Sequence, residues 1–243
     1  MTETETPGFR PLYQQVRDLL RQRISTGHWR PDEALPSESR LAAELKVSQG
    51  TVRKALDDLA AQNLVVRRQG RGTFVAAHSA DRSLFHFFRL VGDDGERKLP
   101  SSRMLDCRRG MAGAAEAARL ELAPGALVLR IDRLRLIRDQ PAIIERIVVP
   151  QALFPGLDGP DHRPLPNTLY DLYQREYGVT IGRAAEQLKA VGASPEDAEL
   201  LHLRTGAPLL EIDRLALDLD GRPVEWRLSR CVTEHLHYAA ELA

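Results

Sequence analysis

The sequence predicts an α+β protein of two domains: a small helical domain that ends in a β-hairpin, then a larger domain built on an antiparallel sheet. Helical periodicity runs through residues 11–61 and gives way to two short apolar strands around a pair of glycines. A small, polar stretch without periodicity, "AAHSADRS" at 76–83, reads as a linker. Beyond it, "LELAPGALVLRIDRLRL" (120–136) and "LHLRTGAPLLEIDRLAL" (201–217) align at a constant offset of 81 residues. Each copy runs from a helix end into a strand and turns back through a proline, in "IRDQPAIIERIVVP" and "DLDGRPVEWRLSR". Two hairpins of this kind predict one antiparallel sheet with pseudo-twofold organisation and helices packed on one face.

The 243 residues suffice for two cores. Cys107 and Cys231 are far apart and lack CxxC spacing, so neither a disulfide framework nor a structural zinc site is expected. The N-terminus "MTETETPGFRPLY" has no basic and apolar leader pattern, and charges interrupt every apolar run before a membrane span of about 18 residues could form. A soluble cytoplasmic protein is the expectation. The zero net charge hides an asymmetry: residues 1–77 hold 12 basic and 9 acidic side chains, and the remainder 22 and 25. Between Lys46 and Thr73, six basic residues face only Asp57 and Asp58.

In "PLYQQVRDLLRQRISTG", Leu12, Val16, Leu19, Leu20 and Ile24 form a helical stripe that Gly27 ends. "SESRLAAELKV" predicts a short second helix with Ser37 or Ser39 as its cap and Leu41, Ala42 and Leu45 inward. Ser48 caps a third helix whose stripe is Val52, Ala55, Leu56 and Leu59. The tight "KVS" corner makes the last two a helix-turn-helix. Gln49 with Arg53 and Gly50 with Lys54 are spaced i, i+4 on the face away from the core, at the end a recognition helix presents to a major groove. Gln pairs with adenine and Arg with guanine, Gly50 permits close approach, and Thr51 reaches a phosphate or a thymine methyl. "LVVRRQGRGTFVA" then predicts strands at 64–67 and 73–76 joined through Gly70 and Gly72. Such a basic tip is a wing, laying Arg68, Gln69 and Arg71 against phosphates or into a minor groove.

"LPSESRLAAELKVSQGTVRKALDDLAAQNLVVRRQGRGTFV" resembles the winged helix-turn-helix of the GntR family of bacterial transcription regulators, over residues 9–77. Gln49 stands where the family often has Arg, and Arg53 matches. The resemblance implies DNA contacts at Ser37, Arg40, Ser48, Gln49, Gly50, Thr51, Arg53 and Lys54, and in the wing at Arg68, Gln69, Gly70, Arg71, Gly72 and Thr73.

In the second domain, counting by two places Leu127, Leu129, Ile131, Arg133, Arg135 and Ile137 on one face. Ile143, Glu145, Ile147 and Val149 share the same face of the returning strand. Charges on apolar faces are costly unless they pair or meet a ligand. The cluster is therefore either structural or an anion pocket, with Arg133 and Arg135 on a phosphate or carboxylate and Glu145 orienting them. Arg214 matches Arg133 in the second copy, but Ala216 replaces Arg135, which favours one pocket over two.

"RLRLIRDQPAIIERIVVP", "NTLYDLYQREYGV" and "GRPVEWRLSR" are similar to the UTRA effector-binding domain of the HutC-type branch, from Phe85 to Tyr238. With 78–84 as linker, the resemblance implies a chorismate-lyase-like fold over 85–243 that binds a small metabolite through Arg133, Arg135, Glu145, Thr168, Tyr170, Glu225 and Cys231. Cys231 lies where sugar-phosphate binders of the family commonly have Tyr, and "FHFFRL" departs from their serine-containing pattern near Phe88. The implied effector is anionic, a sugar phosphate, a carboxylate or similar. The implied protein is a homodimeric regulator of double-stranded operator DNA, a repressor by what is usual for the family, with no cofactor and no membrane partner.

Two other classes are open to such a chain: an enzyme, since the implied fold is that of a lyase, and a constitutive DNA binder. No Walker sequence, GxSxG or HExxH occurs, and His86, His162 and His202 have no partners at catalytic spacing, so no enzyme is expected. Cys231, His235 and His237 lack a further ligand to complete a metal site.

Overall fold

A computed structural model describes residues 10–77, 88–97, 100–158 and 165–240. It divides into two compact units, Met1–Ala77 and His78–Ala243. The expected linker at 78–84 lies outside the described residues, as do His86 and His162.

The first unit contains α1 (Leu12–Ser25), α2 (Glu38–Leu45), α3 (Gln49–Ala61), β1 (Val65–Arg68) and β2 (Gly72–Val75). Ser37 caps α2 by accepting from the Arg40 N–H, and Ser48 caps α3 by accepting from the Thr51 N–H, each satisfying a donor the helix start leaves open. Lys46 closes α2 in the left-handed conformation (φ 53°), which lets the chain turn within three residues into α3. Val52, Ala55, Leu56 and Leu59 are all buried, as expected, against Val16, Leu20 and Ile24 of α1 and Leu41 of α2. Burying each large aliphatic side chain contributes roughly 1.5–3 kcal/mol. Leu12 and Leu19, expected inward, are 49% and 37% exposed. The core takes Val16, Leu20 and Ile24 of one i, i+4 row; Leu12 lies on that row but at the first residue of the helix, and Leu19 lies beside it. The strands of the wing sit one residue from their expected bounds, paired antiparallel from Val65↔Val75 to Arg68↔Gly72. Gly72 at φ 104° takes a conformation that L side chains rarely adopt, so the hairpin closes there.

The second unit is a six-stranded antiparallel sheet in the order β4-β5-β6-β9-β8-β7. Its strands are β4 (Ser101–Met111), β5 (Leu127–Ile137), β6 (Gln140–Pro150), β7 (Ile181–Gly192), β8 (Pro208–Asp218) and β9 (Pro223–Val232). A separate pair, β3 (Leu90–Gly92) and β10 (Leu236–Tyr238), is also antiparallel. Helices α4 (Ala114–Arg119) and α6 (Pro195–Leu201) precede β5 and β8, and α5 (Leu169–Tyr177) precedes β7. The repeat is therefore longer than the sequence alone shows: β4-α4-β5-β6 and β7-α6-β8-β9 are two copies that meet at the β6–β9 seam.

Helices cover both faces of this sheet, not one. Leu120 at the end of α4 packs on Val128, Val148 and Trp226, and Leu201 of α6 on Leu134 and Leu209. On the opposite face, Leu169, Leu172 and Tyr173 of α5 pack with Leu129, Ile131, Ile147 and Val149. The reason is that β5 is apolar on both sides, with Val128 and Leu134 on one and Leu129 and Ile131 on the other, and each side needs cover.

Candidate functional site

In the first unit, Gln49, Gly50, Arg53 and Lys54 are exposed on the outer face of α3. A carboxylate at the start of α2 holds part of this face. Arg53 donates to Glu38 Oε2 through Nε at 3.0 Å and Nη2 at 2.9 Å. Gln49 Nε2 donates to the same oxygen at 3.4 Å, and Arg67 Nη2 lies 3.4 Å from Glu38 Oε1. The hydrogen bond from Arg53 holds the Glu38 carboxyl below its ordinary pKa against a smaller opposing effect of burial. Lys54 lies over the Tyr13 ring, 4.1 Å from its centroid. Arg68 belongs to β1 itself, stacks on Phe74 at 4.4 Å and pairs with Asp32 at 2.6 Å. Gln69, Gly70 and Arg71 form the exposed tip, and Ser37, Arg40 and Ser48 are exposed at the helix starts. Thr51 and Thr73 are half-buried, with Thr51 Oγ1 2.8 Å from the Ser48 hydroxyl.

In the second unit, strand register brings Arg133 opposite Glu145, Glu145 opposite Ser229, and Arg214 opposite Arg227. The arginines of both copies thereby meet on one face. Glu145 accepts from Arg133 Nη2 at 2.6 Å, from Arg135 Nη1 at 3.2 and 3.3 Å, and from Arg227 Nη1 at 3.4 Å. Arg227 also forks onto Glu225 with two bonds of 3.0 Å. The Tyr170 and Tyr173 hydroxyls donate to the two oxygens of Glu225 at 3.0 and 2.9 Å. Arg135 Nη2 donates to Asn167 Oδ1 at 3.0 Å, and Arg214 Nε to Glu186 Oε1 at 2.6 Å. The Nε atoms of Arg133 and Arg135 are buried without a hydrogen-bond partner.

Burial opposes the charge on Glu145, but Arg135, Arg133 and Arg227 outweigh it and hold the carboxyl well below the usual range. Burial lowers the Arg135 pKa to about 10. Burial, and then the charge of Glu225, push the Tyr170 hydroxyl up to about 12.

A cavity opens beside this cluster, lined by Arg135, Glu145, Thr168, Tyr170, Cys231, Asn167, Arg214, Arg227 and Ser229 on its polar parts and by Phe88, Leu90, Ile143 and Ile212 on its apolar wall. Of the expected effector residues, Arg133 and Glu225 lie behind the wall, each bonded to residues that line it. Cys231 is fully buried, and burial raises its thiol pKa. Cys107 is half-buried, and burial raises its thiol as well. Both thiols are expected to react slowly with a maleimide in the native protein and completely after denaturation. Rapid native labelling of Cys231 would show instead that this wall opens to solvent. Among the described residues no group of His, Cys, Asp and Glu is arranged to hold a metal ion, and the His235 and His237 side chains are exposed near Asp93.

Residues 12–75 match the family model for bacterial regulatory proteins, gntR family, and residues 95–237 match the UTRA domain, which spans more than half of the chain. The chain belongs to the GntR family.

This GntR-family regulator is 32% identical over 216 residues to the HTH-type transcriptional repressor NagR of Bacillus subtilis, a match covering 88% of each chain. It is 31% identical to the histidine utilization repressor of Pseudomonas putida, over 85% of this chain and 82% of that one. Among solved structures, it resembles the ligand-binding domain of a GntR-family transcriptional regulator from Bordetella bronchiseptica, with 38% identity and a TM-score of 0.58, over 64% of this chain and 96% of that one. The family and these relatives are transcriptional regulators, not enzymes. In the GntR-family regulator, sequence reasoning missed Glu38, Asn167 and Arg227. Arg227 carried a signal, since it alternates with Glu225, Ser229 and Cys231 on the pocket face of β9. Glu38 carried none, because its partners lie 11 to 29 residues away across two turns.

Proposed function

We propose that the protein is a one-component transcriptional repressor acting in the cytoplasm as a homodimer. Residues 9–77 bind a pseudo-palindromic operator in double-stranded DNA, and residues 85–243 bind a small anionic metabolite that changes operator affinity. The observation that carries this reading is the pairing, on one chain, of an exposed basic helix end with a buried arginine cluster beside a cavity. The relatives named as repressors support the direction of regulation. A coupling of about 1–3 kcal/mol between the two sites changes operator affinity by about 5- to 150-fold.

Gly50 supports the DNA-reading role. An added Cβ would meet nothing nearer than the Ser48 hydroxyl at 3.8 Å, so packing does not require glycine there. Gly50→Ala is expected to stabilise the first unit by about 0.4–1 kcal/mol and to weaken operator binding, measured by thermal unfolding and by titration of operator DNA. A variant that binds DNA as tightly as the parent would remove Gly50 from the interface.

Selection of sheared genomic DNA on the purified protein, at low and near-physiological salt, tests the regulator reading. A short inverted repeat enriched upstream of a few genes is the expected result. Retention that ignores sequence and vanishes with salt would reduce the interaction to phosphate attraction and overturn it. Arg135→Leu is expected to leave operator binding intact and to blunt induction in cells, read from a reporter gene. A normal response in that variant would sink the pocket assignment.

A further inference from the structure

The cavity beside the arginine cluster combines two chemistries in its lining. On the polar part of the lining Arg135 has a buried Nε without a partner, Asn167 keeps its amide N–H donors because its Oδ1 already accepts from Arg135, and the Thr168 hydroxyl makes no capping bond to α5. Beside them Leu90, Ile143, Ile212 and Cys231 are buried together in one apolar cluster, with Ile143 directly opposite Arg135 across the strands and Cys231 opposite Ile143.

Charge sets the valence of the ligand. Arg133, Arg135, Arg214 and Arg227 face Glu145, Glu186 and Glu225, which leaves one buried positive charge. A monoanion neutralises it, whereas a dianion leaves a negative charge in a desolvated site. Arg89, also in the lining, is half-buried and partly screened by solvent.

Polarity sets the body. Both Glu145 oxygens already accept from guanidinium groups, and the Tyr170 hydroxyl is committed to Glu225. A polyhydroxylated body would therefore lose water against the apolar wall and find few partners beyond Asn167 and Ser229, fewer than its hydroxyls need. The cavity measures about 70 Å³, well below the roughly 150 Å³ of an apolar cavity that accommodates benzene.

We propose that the effector is a compact monocarboxylate with an apolar body, such as a short unbranched aliphatic acid, its carboxylate held by Arg135, Asn167 and Thr168 and its body against Ile143, Ile212 and Cys231. This assignment rests on the reading of the cavity as the effector site.

Calorimetric titration of the full chain tests it with acetate and propanoate, set against the matching amides, glucose 6-phosphate and inorganic phosphate. At least one acid is expected to bind and to weaken operator binding, its amide binding about 10- to 100-fold more weakly. Arg135→Gln is expected to reduce acid binding by a similar factor, and Ile212→Asn to weaken the acids without improving the amides. Tighter binding of glucose 6-phosphate or phosphate than of every acid overturns the monocarboxylate class and leaves the site in place. If no probe binds, the monocarboxylate class also falls, and a small-molecule extract of the source cells then tests the site. Release of the operator by that extract from the parent but not from Arg135→Gln keeps the cavity as the effector site. Equal release from both removes it.

Discussion

Glu145→Ala is expected to lower the stability of the second unit by about 3–5 kcal/mol, the cost of leaving a buried charge cluster without its counterion. Three guanidinium groups converge on this carboxylate, and its side chain is only 5% exposed. Denaturant unfolding of the full chain, with Trp29→Phe in both parent and variant so that fluorescence comes from Trp226 in the second unit, is the readout. A loss below about 1 kcal/mol would be the behaviour of a hydrated surface pair and would contradict the burial described here. The pH dependence has a definite sign. The folded Glu145 carboxyl lies well below its ordinary value of 4.5, so its stabilisation is fully present above that value and is lost as pH falls through the depressed one. The variant should therefore lose less stability on acidification than the parent.

Arg53→Ala is expected to reduce operator affinity by about 5- to 150-fold and to relax selectivity at one base pair, as removal of a base-reading guanidinium does. The Glu38 tether makes a second outcome readable. Glu38→Gln keeps the side chain's length but removes the charge that pairs with Arg53 and Arg67. It is expected to lower the ratio of operator to non-specific affinity while raising non-specific affinity, because two arginines are released from a carboxylate. Footprinting and salt titration distinguish the two variants. An unchanged footprint and affinity in Arg53→Ala would take Arg53 out of the interface.

Much of this architecture was legible because it is local. Ser37 and Ser48 announce the starts of α2 and α3 by their own hydroxyls, and period two along β5 and β6 aligns Arg133, Arg135 and Glu145. The stripe of α1 was legible only in part. Leu12 and Leu19 satisfy a helical repeat, but periodicity does not say how far along or how wide a stripe the neighbouring helix covers. The second helical layer was illegible for a similar reason. Arg130 and Asp132 make the far face of β5 look solvated, yet they pair with Glu116 and Arg146 between buried Val128 and Leu134. Contacts across the β6–β9 seam, such as Arg227 with Glu145, depend on strand order, which no spacing within one copy encodes.

The two copies have diverged on one side of the sheet and stayed alike on the other. On the side of α4 and α6, Glu116 accepts from the Gly113 N–H and Asp197 from the Ser194 N–H, at positions one repeat length apart. Leu120 and Leu201, also one repeat apart, are both buried. On the pocket side the copies differ: Arg135 is answered by Ala216, and the carboxylate of Glu145 by the guanidinium of Arg227 in the corresponding pairing. Arg133, Arg135 and Glu145 carry one surplus positive charge, while Arg214 and Arg227 are balanced by Glu186 and Glu225. The duplication has thus produced a division of labour, in which the first copy carries the surplus positive charge and the second forms a neutral, pre-braced wall. A protein made of two identical first copies would hold twice the unbalanced charge on one sheet face, so this asymmetry halves the charge that the fold must bury.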